Sequence, residues 1–272
     1  MPELPEVEFA ARALRRWLGG RRIASADAPE SRIFRGSDRK EFSRVLQGES
    51  LDWIERRGKY LLIAFRGGAG LLNHLGMTGK WVRVPSGAPL PSHVRARLEL
   101  DSGEVVAYRD TRLFGRIAVH RADELFSLPE IRGLGPDPLV DGVDAARLHE
   151  RLARSQRSVK VALMDQALLA GLGNIQATEA LFLAGIHPAR PASSISEKEA
   201  KELASAILES LQHTLKIQGE GDSITYVEEP RAENPFRIYG RAGSPCPRCG
   251  TTIEKIELGG RTSAFCPRCQ PR

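Results

Sequence analysis

The stretch Val94-Arg-Ala-Arg-Leu-Glu-Leu-Asp-Ser-Gly-Glu-Val-Val-Ala-Tyr108 sets the architecture of the first half of the chain. Val94, Ala96, Leu98 and Leu100 alternate with Arg95, Arg97 and Glu99. This period of two places an apolar face on a core and a charged face in water. Asp101-Ser102-Gly103 is turn chemistry, and Glu104–Tyr108 resumes the extended pattern. Working outward, Leu51–Arg57, Tyr60–Phe65, Lys80–Val84 and Arg116–His120 read as further strands, divided by clusters such as Arg66-Gly67-Gly68. A helical pattern begins at Pro5 with Glu6 and Glu8 in its first turn and stops at Gly19-Gly20. A second, short helix covers Arg39–Leu46. Residues 1–130 are therefore expected to form a β-sandwich with two attached helices.

Beyond it, residues 131–143 hold Gly133, Gly135, Pro136, Pro138 and Gly142, a composition suited to a linker. Helical patterns follow over 144–154, 158–170, 174–184 and 196–217, and the end of the chain returns to short strands and turns. The expected class is α+β, with a helical domain over 144–240 and a separate module over 241–272.

The chain has 272 residues, 41% of them hydrophobic, and a formal net charge of +6. That length suits two domains with a core each. No apolar run approaches the roughly 20 residues of a membrane helix, and Met1 to Glu8 lack the basic start and apolar core of a secretory signal. A cytoplasmic protein without a membrane partner is expected. The positive charge favours a polyanion, because Lys and Arg release condensed counterions from phosphates, but many basic proteins never meet nucleic acid.

The four cysteines all lie at or beyond residue 246, as Cys246-Pro-Arg-Cys249 and Cys266-Pro-Arg-Cys269. Two C-x2-C turns place four thiolates tetrahedrally, as a closed structural zinc site requires. One structural Zn2+ per chain is expected, with no open position for catalysis. Between the pairs, Ile253–Leu258 and Thr262–Phe265 flank Gly259-Gly260-Arg261, a β-hairpin with Arg261 at its tip. Such an arginine suits a DNA groove and equally suits a solvated turn.

At the other end, removal of Met1 before a small residue makes Pro2 the terminus. An α-amine titrates at roughly 7.7–8.0, so a useful fraction is unprotonated near neutrality. Such an amine can attack the anomeric carbon of a sugar and form a Schiff base. Glu3 stands beside it as a candidate acid, with Glu6 to orient it. The same residues also make good helix-start chemistry.

Together these features resemble the formamidopyrimidine-DNA glycosylase family. The opening Met-Pro-Glu-Leu-Pro-Glu-Val-Glu matches its amino-terminal signature. Arg57-Gly58-Lys59-Tyr60-Leu61-Leu62 is similar to its lysine turn, and His74-Leu75-Gly76-Met77-Thr78-Gly79 to its intercalation loop. Asp110-Thr111-Arg112-Leu113-Phe114-Gly115 resembles the second wedge loop. Leu163-Met164-Asp165 with Gly171-Leu172-Gly173-Asn174-Ile175 resembles the helix–two-turn–helix segment, and the zinc finger completes the set.

The resemblance implies a base-excision-repair enzyme, a bifunctional glycosylase and AP lyase acting as a monomer on double-stranded DNA that carries a damaged base or abasic site. It implies a bacterial cytoplasm and association with the nucleoid. Pro2 would be the nucleophile and Glu3 the general acid, with Lys59 and Arg261 in the catalytic set. His93, Arg112, Lys160, Asn174 and Tyr239 would contact DNA, with Asn174 also capping its helix. Met77, Arg112 and Phe114 would enter the stack. Three features depart from the family pattern: Gln176 replaces a usual tyrosine, Leu113 a common basic residue, and the lesion loop within Gly219–Ile238 is short. Oxidised purines (8-oxoguanine and formamidopyrimidines) are the expected substrates. The alternatives are an endonuclease VIII-like enzyme for oxidised pyrimidines and a non-catalytic zinc-dependent DNA-binding protein.

Overall fold

The computed structural model describes residues 2–34, 39–219, 226 and 233–272. The chain forms two compact units, the first from residues 1–132 with 218–226 and the second from 133–217 with 227–272.

The first unit opens with α1 (Leu4–Leu18), followed by β1 (Ile23–Asp27), α2 (Arg39–Leu46), β2 (Leu51–Arg57), β3 (Tyr60–Phe65), β4 (Ala69–His74) and β5 (Lys80–Val84). Next come β6 (Val94–Leu100), β7 (Val105–Arg109), β8 (Arg116–Arg121) and the single-turn α3 (Pro129–Arg132). Two four-stranded antiparallel sheets result, in the orders β1-β6-β7-β5 and β2-β3-β4-β8. Leu61, Ile63 and Phe65 of β3, Leu71 of β4, Leu98 and Leu100 of β6 and Val106 of β7 share one core with Val7, Ala10, Leu14 and Leu18 of α1. Period two in the strands and three-to-four in the helix thus meet on one apolar surface. Arg15 fixes the seating of α1, its guanidinium donating to the Ile54 carbonyl of β2.

Two strands are absent from the sequence reading, β1 and β4. Residues 70–73 of β4 are buried on both faces. Such a strand shows a continuous run where a half-wet strand shows alternation, and Gly70 at its start obscures even that.

The second unit contains α4 (Ala145–Ala153), α5 (Val159–Leu163), α6 (Asn174–Leu183), α7 (Glu197–Gln218, its last residue counted with the first unit) and the hairpin β9 (Glu254–Leu258)–β10 (Arg261–Phe265). Asp144 caps α4, accepting from the N–H groups of Ala146 and Arg147. The helix expected over 158–170 stops at Leu163. There Gln166 donates to the carbonyls of Met164 and Leu172 and accepts from Gly171 N–H, so its side chain holds the chain in turns despite an apolar sequence. Residues 133–142 also engage this unit: Gly135 N–H donates to Gln166 O at 2.8 Å, and Ala170 N–H to Pro136 O at 2.9 Å. Gly259 and Gly260, at φ 56° and 68°, form the two-residue turn between β9 and β10. Among the described residues, no helix is long and apolar enough to cross a membrane.

Candidate functional site

Pro2 is buried, and Glu3 and Glu6 are 1% and 4% exposed. Glu3 is the residue preceding α1, and its N–H donates to the Glu6 carboxyl at 2.9 Å within a capping box. Burial pushes the Glu6 carboxyl from its ordinary 4.5 up to about 7, and the charge of Glu3 adds to the effect. Near neutrality Glu6 is thus protonated roughly half of the time, which lowers the negative charge it sets beside Glu3. Two residues further, Glu8 accepts from Arg56 at 2.9 Å, and Arg56 also donates to Gly58 O at 3.3 Å. This relay ties α1 to the turn between β2 and β3 that carries half-buried Lys59. Arg56 is 4% exposed, and nothing in the sequence pattern singled it out.

The loop 75–79 and the loop 110–115 are held together by one carboxylate. Asp110 is fully buried and accepts from the Thr78 hydroxyl at 2.6 Å, the Arg112 N–H at 3.1 Å and the Gly115 N–H at 2.8 Å. Backbone contact completes the joint: a Cβ on Gly76 would come within 2.4 Å of the Phe114 carbonyl carbon. Three side chains of the expected stack-entering set, Met77, Arg112 and Phe114, therefore share one rigid platform. Phe114 is 45% exposed, the Arg112 guanidinium lies 4.9 Å over its ring, and Arg32 donates to the Arg112 carbonyl at 3.2 Å. Leu113 between them adopts φ 57°. A branched side chain in the left-handed region stores strain, as functional loops often do.

His93 joins the same platform through its backbone, its carbonyl accepting from Asp110 N–H at 3.1 Å. Its exposed ring lies 3.0 Å from the Ser92 hydroxyl, at a φ of 63°. At the root of loop 75–79, burial and then the charges of Lys59 and Arg116 lower the His74 pKa to about 4. The ring is neutral at physiological pH, and its Nδ1 accepts the Gly76 N–H at 3.1 Å.

In the second unit, Asn174 is the first residue of α6 and Gly173 is its N-cap. Asn174 does not cap the helix as expected, because its Oδ1 accepts from the Lys160 ammonium instead, at 2.5 Å. Lys160 also departs from expectation, being fully buried. Its Nζ donates further to Thr262 O at 3.2 Å and Ser263 Oγ at 2.5 Å. Arg261 is exposed, immediately after the Gly259-Gly260 turn and paired with Leu258.

Tyr239 is half-buried, and its segment is anchored by a residue the sequence reading missed. Glu179 of α6, 1% exposed, accepts from the N–H groups of Arg237, Ile238 and Tyr239, each at 2.9 Å. A lone acid in a helix buried almost all round was the available signal. Gln176, the unusual residue on the same helix, is also buried: it donates to Thr214 Oγ1 at 2.9 Å and accepts from Ser210 Oγ at 2.7 Å, joining α6 to α7. Of the expected lesion loop, residues 220–225 and 227–232 lie outside the described residues, including Glu228, Glu229 and Pro230. Tyr226 is described, and its hydroxyl donates to Gly79 O at 2.7 Å.

The ligand atoms of Cys246, Cys249, Cys266 and Cys269 all lie within 4.8 Å of one another, with Sγ–Sγ separations of 3.9 Å (Cys246–Cys269) and 3.5 Å (Cys249–Cys266). A tetrahedron of Zn–S bonds of about 2.3 Å has edges of about 3.8 Å, so the four sulfurs fit that ion. Arg248 N–H points at Cys246 Sγ and Cys269 N–H at Cys266 Sγ, both at 3.4 Å, offering donors to thiolates. Cys246 and Cys266 also pack with Ile253, Ala264, Ile238 and Phe182 into a small core beneath the hairpin.

Three family models match successive parts of the chain. They describe a formamidopyrimidine-DNA glycosylase N-terminal domain over residues 1–117, a formamidopyrimidine-DNA glycosylase H2TH domain over residues 134–226, and a zinc finger found in FPG and IleRS over residues 243–272. The last, with the sulfur geometry, makes the carboxy-terminal module a zinc finger with one structural Zn2+. The formamidopyrimidine-DNA glycosylase of Desulfitobacterium hafniense is 40% identical over 275 residues, covering 99% of this chain and 100% of the relative. A complex of Lactococcus lactis Fpg with DNA containing an abasic site superposes with a TM-score of 0.89 at 31% identity, covering 99% of this chain and 100% of that one. Its complex with DNA containing Fapy-dG gives 0.89 at 32% identity, with the same coverage.

Proposed function

Because the chain belongs to the formamidopyrimidine-DNA glycosylase family, we propose that it is a bifunctional DNA glycosylase and AP lyase, excising oxidised purines from duplex DNA with Pro2 as nucleophile. The observation that carries this is Pro2-Glu3 at the start of α1, in a chain matched over 99% of its length by a relative named as a formamidopyrimidine-DNA glycosylase. The preference for purines follows the formamidopyrimidine for which the relatives are named and the Lactococcus lactis complex with Fapy-dG DNA; that same relative is also solved with DNA containing an oxidised pyrimidine.

A duplex hides the glycosidic carbon, so the damaged nucleotide is extruded, at a cost of a few kcal/mol. Phe114 wedges the stack and Met77 fills the vacated space, while Arg112 offers donors to the unpaired base opposite. The free amine of Pro2 attacks C1′, the C1′–N bond breaks, and the base leaves with its electron pair and takes up a proton. Glu3 protonates the ring oxygen as the sugar opens, and loss of the amine proton leaves the nitrogen lone pair to form the Schiff base. β-Elimination then expels the 3′ phosphate and δ-elimination the 5′ phosphate, leaving a one-nucleotide gap.

Lys59, His93, Asn174, Tyr239 and Arg261 hold the phosphate backbone. On this reading residues 1–130 are the catalytic domain, 131–143 the linker, 144–240 the DNA-binding domain with the lesion loop, and 241–272 the zinc finger. The enzyme works as a monomer in the bacterial cytoplasm, associated with the nucleoid.

Borohydride in the presence of duplex DNA containing 8-oxoguanine tests the assignment. The adduct should map to a peptide beginning at Pro2, with Met1 absent by mass spectrometry. Active enzyme that retains Met1, or an adduct on Lys59, would falsify it.

A further inference from the structure

We propose that Lys160 never touches DNA and acts as a positioning residue, fixing the direction of the Asn174 amide and thereby linking the zinc hairpin to the phosphate grip of α6. The inference rests on the reading of Asn174 as a phosphate contact. An ammonium has three N–H donors and no lone pair. Among the described residues, the Lys160 ammonium donates to Asn174 Oδ1, Thr262 O and Ser263 Oγ, and the side chain is fully buried, so a phosphate oxygen has no path to it. Since only an acceptor can face an ammonium, the Asn174 oxygen must be the atom turned toward Lys160. The Nδ2 amide is then turned the other way, as a donor at the first residue of α6. Without Lys160 the amide could rotate and present its oxygen to a phosphate, which repels it.

Lys160 is itself held by the hairpin. Two of its acceptors belong to consecutive residues of β10, which runs into the zinc ligand Cys266. The hairpin turn rests on the same short helix: a Cβ on Gly259 would lie 3.0 Å from Val161 Cγ2. Zinc, by ordering β10, therefore keeps Lys160 in place, and Lys160 keeps Asn174 facing outward.

Binding of the zinc-loaded protein to a duplex carrying a tetrahydrofuran abasic-site analogue decides this through a double-mutant cycle. Lys160→Met should weaken binding about tenfold, the scale of one hydrogen bond to a charged group. In an Asn174→Ala background the same change should cost less than about twofold. Ser263→Ala should act in the same direction more weakly, and it too should lose its effect in that background; it carries the test if Lys160→Met fails to fold or to keep its zinc. The dependence of binding on salt should not change in slope with Lys160→Met. Equal losses in both backgrounds, with a slope reduced by about 0.9 as for one phosphate contact removed, would overturn the proposal in favour of direct contact. Failure of the wild-type protein to bind the duplex would instead refute the proposed function.

Discussion

Ionising Glu6 should cost the protein much of the stability that its first unit has at mildly acidic pH. The carboxyl is 4% exposed, and its pKa is raised from 4.5 to about 7 by burial and by Glu3. A folded value above the unfolded one means that the native state binds the proton more tightly. The contribution is present in full below pH 4.5 and is lost as pH rises through 7. At 1.36 kcal/mol per tenfold change in proton affinity, that interval amounts to about 3 kcal/mol. Glu6→Gln retains a side-chain carbonyl for the Glu3 N–H, now 2.9 Å from the carboxyl, and carries no charge at any pH. All three tryptophans, Trp17, Trp53 and Trp81, lie in the first unit, so their fluorescence during urea unfolding reports on it. The stability of the variant minus that of the wild type should shift by about 3 kcal/mol in favour of glutamine between pH 4.5 and about pH 8. Subtraction cancels the other titrating groups. A difference constant to within about 0.5 kcal/mol would mean that Glu6 does not titrate in this window and that its burial is relieved in solution.

Asp110→Asn replaces an acceptor oxygen with a donor facing Gly115 N–H or Thr78. It should destabilise the first unit by about 2 kcal/mol and slow excision; an unchanged tryptophan-monitored urea midpoint would contradict the platform assigned to this carboxylate. A purine lesion opposite cytosine should be cut faster than one opposite adenine, because adenine presents a donor that an arginine cannot accept. Arg112→Ala should shrink that preference by roughly 1–3 kcal/mol, whereas Phe114→Ala should slow both contexts alike; single-turnover rates showing an unchanged ratio for Arg112→Ala refute the loop's role. Dialysis against a strong chelator should remove about one zinc per chain and abolish duplex binding, which added zinc should restore. Full binding by protein shown to be metal-free would remove zinc from the account.

The amino-acid sequence by itself determined features that depend on neighbours along the chain. Alternation through Val94–Leu100 is a local pattern, and β6 forms over those residues. The C-x2-C spacing fixed four ligands because two short turns dictate where their thiolates fall. Two strands escaped this reading: β4, buried on both faces, lacks alternation, and β1 emerged only through pairing with β6. The roles of Asp110, Arg56 and Glu179 were decided only by tertiary structure, since each joins segments distant in the chain: Asp110 accepts from Thr78, Arg56 donates to Glu8, and Glu179 accepts from the N–H groups of Arg237, Ile238 and Tyr239. Lys160 and Asn174 make the same point. In sequence they are a basic residue and a helix-start asparagine, both expected to contact DNA. Folding brings β10, about a hundred residues away, against α5, and only that approach supplies the acceptors that make a buried ammonium affordable.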